Sequence, residues 1–158
     1  LRSHKILNRF LYLSLILLGI ILIDFYINFM PTYFVIIVFA YFFLSLAFLT
    51  NKIIHKEHKK LLFPKIILLS IILVLGYANF YYKLSRDLSH AFKDGMILSA
   101  IDSVYFSITT FTTTGYGDIY PITNTAKMFV ASEMILGYVL STIIMAAFVI
   151  RFIEADKE

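Results

Sequence analysis

The chain has no cysteine and no tryptophan, and only three prolines and six glycines in 158 residues. Without cysteine there is no disulfide framework and no thiolate metal site, and the sequence holds no redox clue to compartment. Charge is scarce as well. Asp, Glu, Lys and Arg make up 15% of the residues, where a soluble domain carries about 25%. The space is filled by apolar side chains, 60% of the total, with a mean hydropathy of +0.85. That excess has to face something other than water, so an integral membrane protein is expected. The formal charge of +4 is modest, and the basic residues cluster at the ends of apolar runs. Nucleic acid, which needs a basic face, is not an expected partner. No His or carboxylate cluster converges within an apolar run, and no enzyme is expected.

A helix needs about 20 predominantly apolar residues to cross a bilayer. Four segments qualify: Ile6 to Phe29, Thr32 to Thr50, Pro64 to Tyr82 and Thr125 to Phe152. Pro31 precedes the second run and Pro64 opens the third, where a helical first turn tolerates proline. Arg2 and Lys5 ahead of the first run resemble a secretory leader. No small-residue cleavage site follows, and the run leads straight into the second, so it reads as a retained span. Lys52, Lys56, Lys59 and Lys60 crowd the 51–60 linker, which the positive-inside rule assigns to the cytoplasm together with Arg2, Lys5 and Arg9. The expected topology is multi-pass in a plasma or cell membrane, with both termini cytoplasmic and the link from Lys83 to Thr123 outside. The linker lysines can also hold anionic lipid headgroups, whereas His55 and His58 read as solvated linker residues. Aromatic residues such as Phe25, Tyr26, Tyr81 and Tyr82 fall at outer ends, where aromatic belts form. Asp24, also near an outer end, is expected to reach the interface.

Within the long link, the stretch from Ala100 to Thr112 is apolar enough to enter the membrane and too short to cross it. Ser99 and Asp102 have capping-box spacing, so a helix starts there. From Thr109 onward, β-branched threonines favour extended backbone. The run "TTTGYGD", Thr112 to Asp118, follows. Bare backbone at membrane depth is tolerated only where protein buries it or water lines it. Glycine takes positive φ readily, so Gly115 and Gly117 at alternate positions let successive carbonyls turn to the same side. A column of such oxygens can replace the hydration shell of a cation, with the Thr113 hydroxyl at its inner end. The preceding helix, aimed inward, directs its negative dipole end at a cation below.

The stretch "TTFTTTGYGD", Thr109 to Asp118, resembles the signature of potassium channel pore domains. The likeness extends to "SAIDSVYFSIT" as a pore helix, to "YPIT" after the filter, and to Gly137 where that family has its hinge glycine. It covers about Pro64 to Phe152 and implies K+ coordination by carbonyls of Thr113, Thr114, Gly115 and Tyr116, with Gly117 and Asp118 closing the outer mouth. Ser141 and Met145, with Val149, follow Gly137 at helical spacing and are implied to face the conduction path. The family's pore is a ring of four loops; this chain has one, so a homotetramer with three further copies of itself is implied.

The implied protein is an all-α membrane protein with four transmembrane helices per chain, a re-entrant pore helix and a filter loop. Residues 1–60 form two accessory helices and a basic linker, and residues 61–158 form the pore domain. Thr114 stands where the family usually has Val or Ile, and its hydroxyl needs a partner. Phe106 stands where many relatives have tryptophan; Tyr105, one position earlier, is expected to donate to Asp118 instead. Glu133, one turn before Gly137, is either a functional ionisable group or one buried behind the filter with a hydroxyl partner. No span carries a basic ladder, so voltage sensing is not expected, and no ligand-binding domain is expected within this stretch. The expected function is passive, potassium-selective conduction. A weakly selective cation channel and a non-conducting or carrier subunit are the alternatives.

Overall fold

The structure is a computed structural model that describes the backbone of residues 2–54 and 59–155, with side chains over 9–48, 64–146 and 148–149. All side chains of the basic 51–60 linker therefore lie outside those described, and His55 and His58 lie outside the described residues altogether. The fold is all helical, and no strand occurs among the described residues. Helix α1 spans Arg2–Ile27, α2 Phe34–Ile54, α3 Lys59–Asp87, α4 Ala100–Phe111 and α5 Asn124–Ala155, with a short 3-10 turn at Lys93–Gly95. Among the described residues, three stretches are long and apolar enough to cross a membrane: Arg9–Ile27, Pro64–Asp87 and Asn124–Ala146. The apolar part of α2 with described side chains, Phe34–Phe48, is shorter, although the helix itself runs for 21 residues. Helix α3 begins before the sequence suggests. Pro64 lies inside it rather than at its start, and forgoes one intrahelical bond there.

The turn between α1 and α2 has a local cause. Helix α1 stops where Asn28 takes φ 53°, a conformation that Asn tolerates better than most residues. Asp24 then receives the Met30 N–H at 2.6 Å, and carbonyls of Pro31, Thr32 and Tyr33 accept from Phe34, Val35 and Ile36 to start α2.

Helix α3 is the centre of the molecule, packed by α1, α2, α4 and α5. One apolar cluster, including Leu17, Ile21, Val38 and Ile72, seats the α1–α2 hairpin on it. A second, built around Tyr77, Tyr81, Phe92 and Phe106, joins it to α4 and α5. Lipid is as apolar as these side chains, so packing and polar contacts have to supply the specificity of helix association. A polar tie lies at the C-terminal end of α1. Asp24, 2% exposed, pairs with Lys83 at 2.6 Å and accepts from Asn79 Nδ2 at 2.9 Å, while the Lys83 ammonium also donates to the Met30 carbonyl. Asp24 is thus not an interfacial residue as its position suggests; it is a buried ion-pair partner.

Candidate functional site

The site is built on α4. Ser99 Oγ accepts the Asp102 N–H at 3.1 Å, and the Asp102 carboxylate accepts the Ser99 N–H at 3.1 Å, which completes the expected capping box. Phe106 points into the core, where it meets the rings of Tyr81 at 5.1 Å and Phe92 at 5.5 Å. Tyr105 reaches the loop beyond the helix: its hydroxyl donates to Asp118 Oδ2 at 2.8 Å, and its ring stacks on Tyr116 with centroids 6.3 Å apart. That hydrogen bond is the main reason Asp118 is held below the usual carboxylate value, aided by backbone N–H groups and Lys93. The same bond raises Tyr105 above the usual phenol value.

After Phe111 the backbone alternates. Thr113 has φ 57°, Gly115 φ 51° and Gly117 φ 78°. Every second residue of the segment therefore lies in the left-handed region, and the intervening residues do not. The glycine positions were legible in advance; the left-handed threonine was not. Main-chain donors of this segment satisfy carbonyls at the end of α4. Thr113 N–H bonds to Thr110 O at 3.0 Å, and Thr109 O receives Thr114 N–H at 2.9 Å and Gly115 N–H at 3.1 Å. The Thr114 hydroxyl lies 2.9 Å from that of Thr112. Thr112 donates onward to Ile108 O at 2.8 Å, so Thr114 is the donor to Thr112. Its hydroxyl has the partner that burial would require. Residues 112–118 are exposed in the single chain, Tyr116 at 72%.

The loops before α4 and before α5 bracket this segment. Phe92 pairs with Pro121 in an isolated antiparallel bridge; Lys93 N–H bonds to Tyr120 O at 3.0 Å and Ile122 N–H to Ala91 O at 2.8 Å. Behind it lies α5, an unbroken helix. Gly137 is buried there, and a Cβ on it would stand 2.2 Å from the Phe111 carbonyl oxygen. Packing thus gives Gly137 a static reason to be glycine, whatever its part in bending. Ser141, Met145 and Val149 continue the same helix as exposed residues. Glu133, also on α5, is fully buried, 2.5 Å from Ser107 Oγ and 2.8 Å from the Tyr81 hydroxyl. Its burial behind the loop was one of two readings open from sequence, but its partners on two other helices were not readable.

A capped re-entrant helix that delivers an alternating, carbonyl-rich backbone between two spans belongs to a channel-like membrane protein. A family model for ion channels matches residues 67–154, more than half of the chain. The chain belongs to that ion channel family. It is similar to two-pore potassium channel 4 of Arabidopsis thaliana, with 41% identity over 66 residues, 40% of this chain and 22% of the relative. Two pore potassium channel c of Oryza sativa subsp. japonica is 32% identical over 98 residues, 60% of this chain and 21% of the relative. A protein of Methanothermus fervidus, described as uncharacterized, is 55% identical over 42 residues, 27% of this chain and 7% of the relative. The chain thus spans about a fifth or less of the length of these relatives. No solved structure matches.

Proposed function

We propose that the chain is a subunit of a potassium-selective channel in which four copies surround one conduction path. One observation carries the reading: left-handed backbone at residues 113, 115 and 117, and only there within the segment that leaves α4. Alternation of this kind turns successive carbonyls toward one side, and four such columns around an axis replace the hydration shell of a dehydrated ion. In this reading Thr113, Thr114, Gly115 and Tyr116 coordinate K+, Gly117 and Asp118 form the outer mouth, and Tyr105 holds Asp118. Ser141 and Met145 line the water-filled space below. Similarity to relatives named potassium channels supports the choice of ion. Residues 61–158 act as the pore domain, residues 1–60 as an accessory pair, and both termini face the cytoplasm as the lysine-rich linker requires.

Flux from proteoliposomes holding the purified protein tests the proposal. A potassium gradient is expected to drive passive uptake of a tracer cation, and a sodium gradient of equal size is not. Equal passage of sodium would make the protein a weakly selective cation channel. Saturable flux at millimolar ion, or none at all, would favour a carrier or a non-conducting subunit and defeat the proposal.

A further inference from the structure

We propose that Glu133 is a positioning residue of the filter: its carboxyl group fixes how far α4 reaches along α5, and so where the carbonyl column begins. The inference rests on the channel reading above, but its residues lie outside the ion path.

Two contacts between α4 and α5 occur one helical turn apart on both helices. Glu133 meets Ser107 at 2.5 Å, and Gly137 lies against the main chain of Phe111 so closely that any Cβ would overlap its carbonyl. The first contact is polar and directional; the second is steric and allows no slack. Together they fix the register of the two helices. Phe111 is the last residue of α4, and the left-handed Thr113 follows two residues later. Any slide of α4 along α5 would therefore carry the innermost carbonyl with it. One residue of helical slide is about 1.5 Å, more than an ion cage can absorb without losing its contacts.

The hydrogen-bond count makes the carboxyl group specific. Ser107 has one hydroxyl proton and two acceptors within reach, Glu133 Oε1 at 2.5 Å and the Val74 carbonyl at 2.7 Å. Tyr81 donates to Glu133 Oε2 at 2.8 Å. All three contacts are satisfied together when Glu133 carries a proton and donates it to Ser107, which then donates to Val74. Both groups that meet the Glu133 carboxyl here are hydroxyls, Ser107 and Tyr81. Tyr77, another phenol of α3, is engaged by Ser132 at 2.7 Å. The chain Tyr81–Glu133–Ser107–Val74 thus links α3, α4 and α5 through one side chain. A glutamine can reproduce it: its amide N–H donates to Ser107 and its carbonyl accepts from Tyr81. An alanine or an aspartate cannot.

The test is single-channel recording in planar bilayers, because unitary conductance and the K+/Na+ permeability ratio belong to each assembled channel whatever its yield. Glu133→Gln is expected to keep both within about twofold of the parent, whereas Glu133→Ala and Ser107→Ala shift the permeability ratio on the order of tenfold. The double variant is expected to go no further than the worse single one, since the two groups act as one contact. Glu133→Asp serves in place of Glu133→Ala should that variant fail to assemble. If every channel that forms in these variants has parental conductance and permeability, with only the yield reduced, the network serves stability alone and the proposal is overturned. Failure of every variant except Glu133→Gln to form any channel would overturn it in the same way. A parent that conducts nothing removes the channel reading itself, which is a separate result visible before any variant is made.

Discussion

A β-branched residue in the left-handed region costs about 1–2 kcal/mol, and Thr113 at φ 57° accepts that cost. Its N–H bond to Thr110 O, with the Thr114 and Gly115 N–H bonds to Thr109 O just after it, holds the conformation. Sequence alone pointed to Gly115 and Gly117, because glycine is the residue that takes positive φ freely. Nothing in the chemistry of threonine announces the same conformation, so one third of the alternation was invisible there. The Tyr105 contact to Asp118 was legible by contrast, since it needs only a hydroxyl one position from Phe106 and a carboxylate past the second glycine. Its consequence for pH has a definite sign. The Tyr105 hydroxyl holds Asp118 below the usual value of 3.8, so the bond is fully present above that value and is lost as the pH falls through the lowered one. Tyr105→Phe removes the donor, and Asp118 then protonates at a higher pH. Potassium flux measured against external pH is expected to show its acid-side decline at higher pH in the variant than in the parent. Coincident profiles would mean that the bond does not steady the proposed outer mouth.

Among the elements, hydropathy located the helices well and their ends poorly. The first and fourth runs correspond to α1 and α5 within a few residues, because a long apolar stretch has few alternatives in a membrane. The start of α3 was misjudged because proline was read as a first-turn residue, whereas the lysines before it are already helical at Lys59. Asp24 was misjudged for a different reason: its partner Lys83 lies in another helix, and no local pattern links the two. The ion pair holds the α1–α2 hairpin to α3, with Asn79 and the Met30 backbone completing its hydrogen bonds. Removing one member of a buried pair leaves the other charge uncompensated and costs about 3–5 kcal/mol. Asp24→Ala and Lys83→Ala are each expected to lower stability by that order in detergent unfolding curves. The double variant is expected to lose clearly less than the sum of the two. Strict additivity in that cycle would show that the two side chains are not coupled.

At the scale of the whole molecule, burial is uneven. Helix α3 is mostly covered, whereas α5 is mostly open, and the alternating segment is exposed along its full length. Assembly is a proposal that rests on resemblance alone, since no single-chain pattern encodes a fourfold axis. The stripe from Glu133 through Gly137 to Ser141 and Met145 offers a direct way to probe it. These residues follow at intervals of four along one face of α5. The first two are covered by α4, and the last two, exposed in the single chain, run on past its end. In the proposed tetramer that open part of the stripe borders the water-filled space below the filter. The chain has no cysteine, so a single introduced thiol reports without background. Met145→Cys is expected to be modified by a charged, membrane-impermeant thiol reagent added from the cytoplasmic side, with potassium flux falling as the modification proceeds. Leu140→Cys, at a position 1% exposed even in the isolated chain, is expected to react slowly and leave flux unchanged. A Met145→Cys channel that conducts normally in the reagent would place this face of α5 toward lipid or a neighbouring subunit, and the conduction path would then have to run elsewhere.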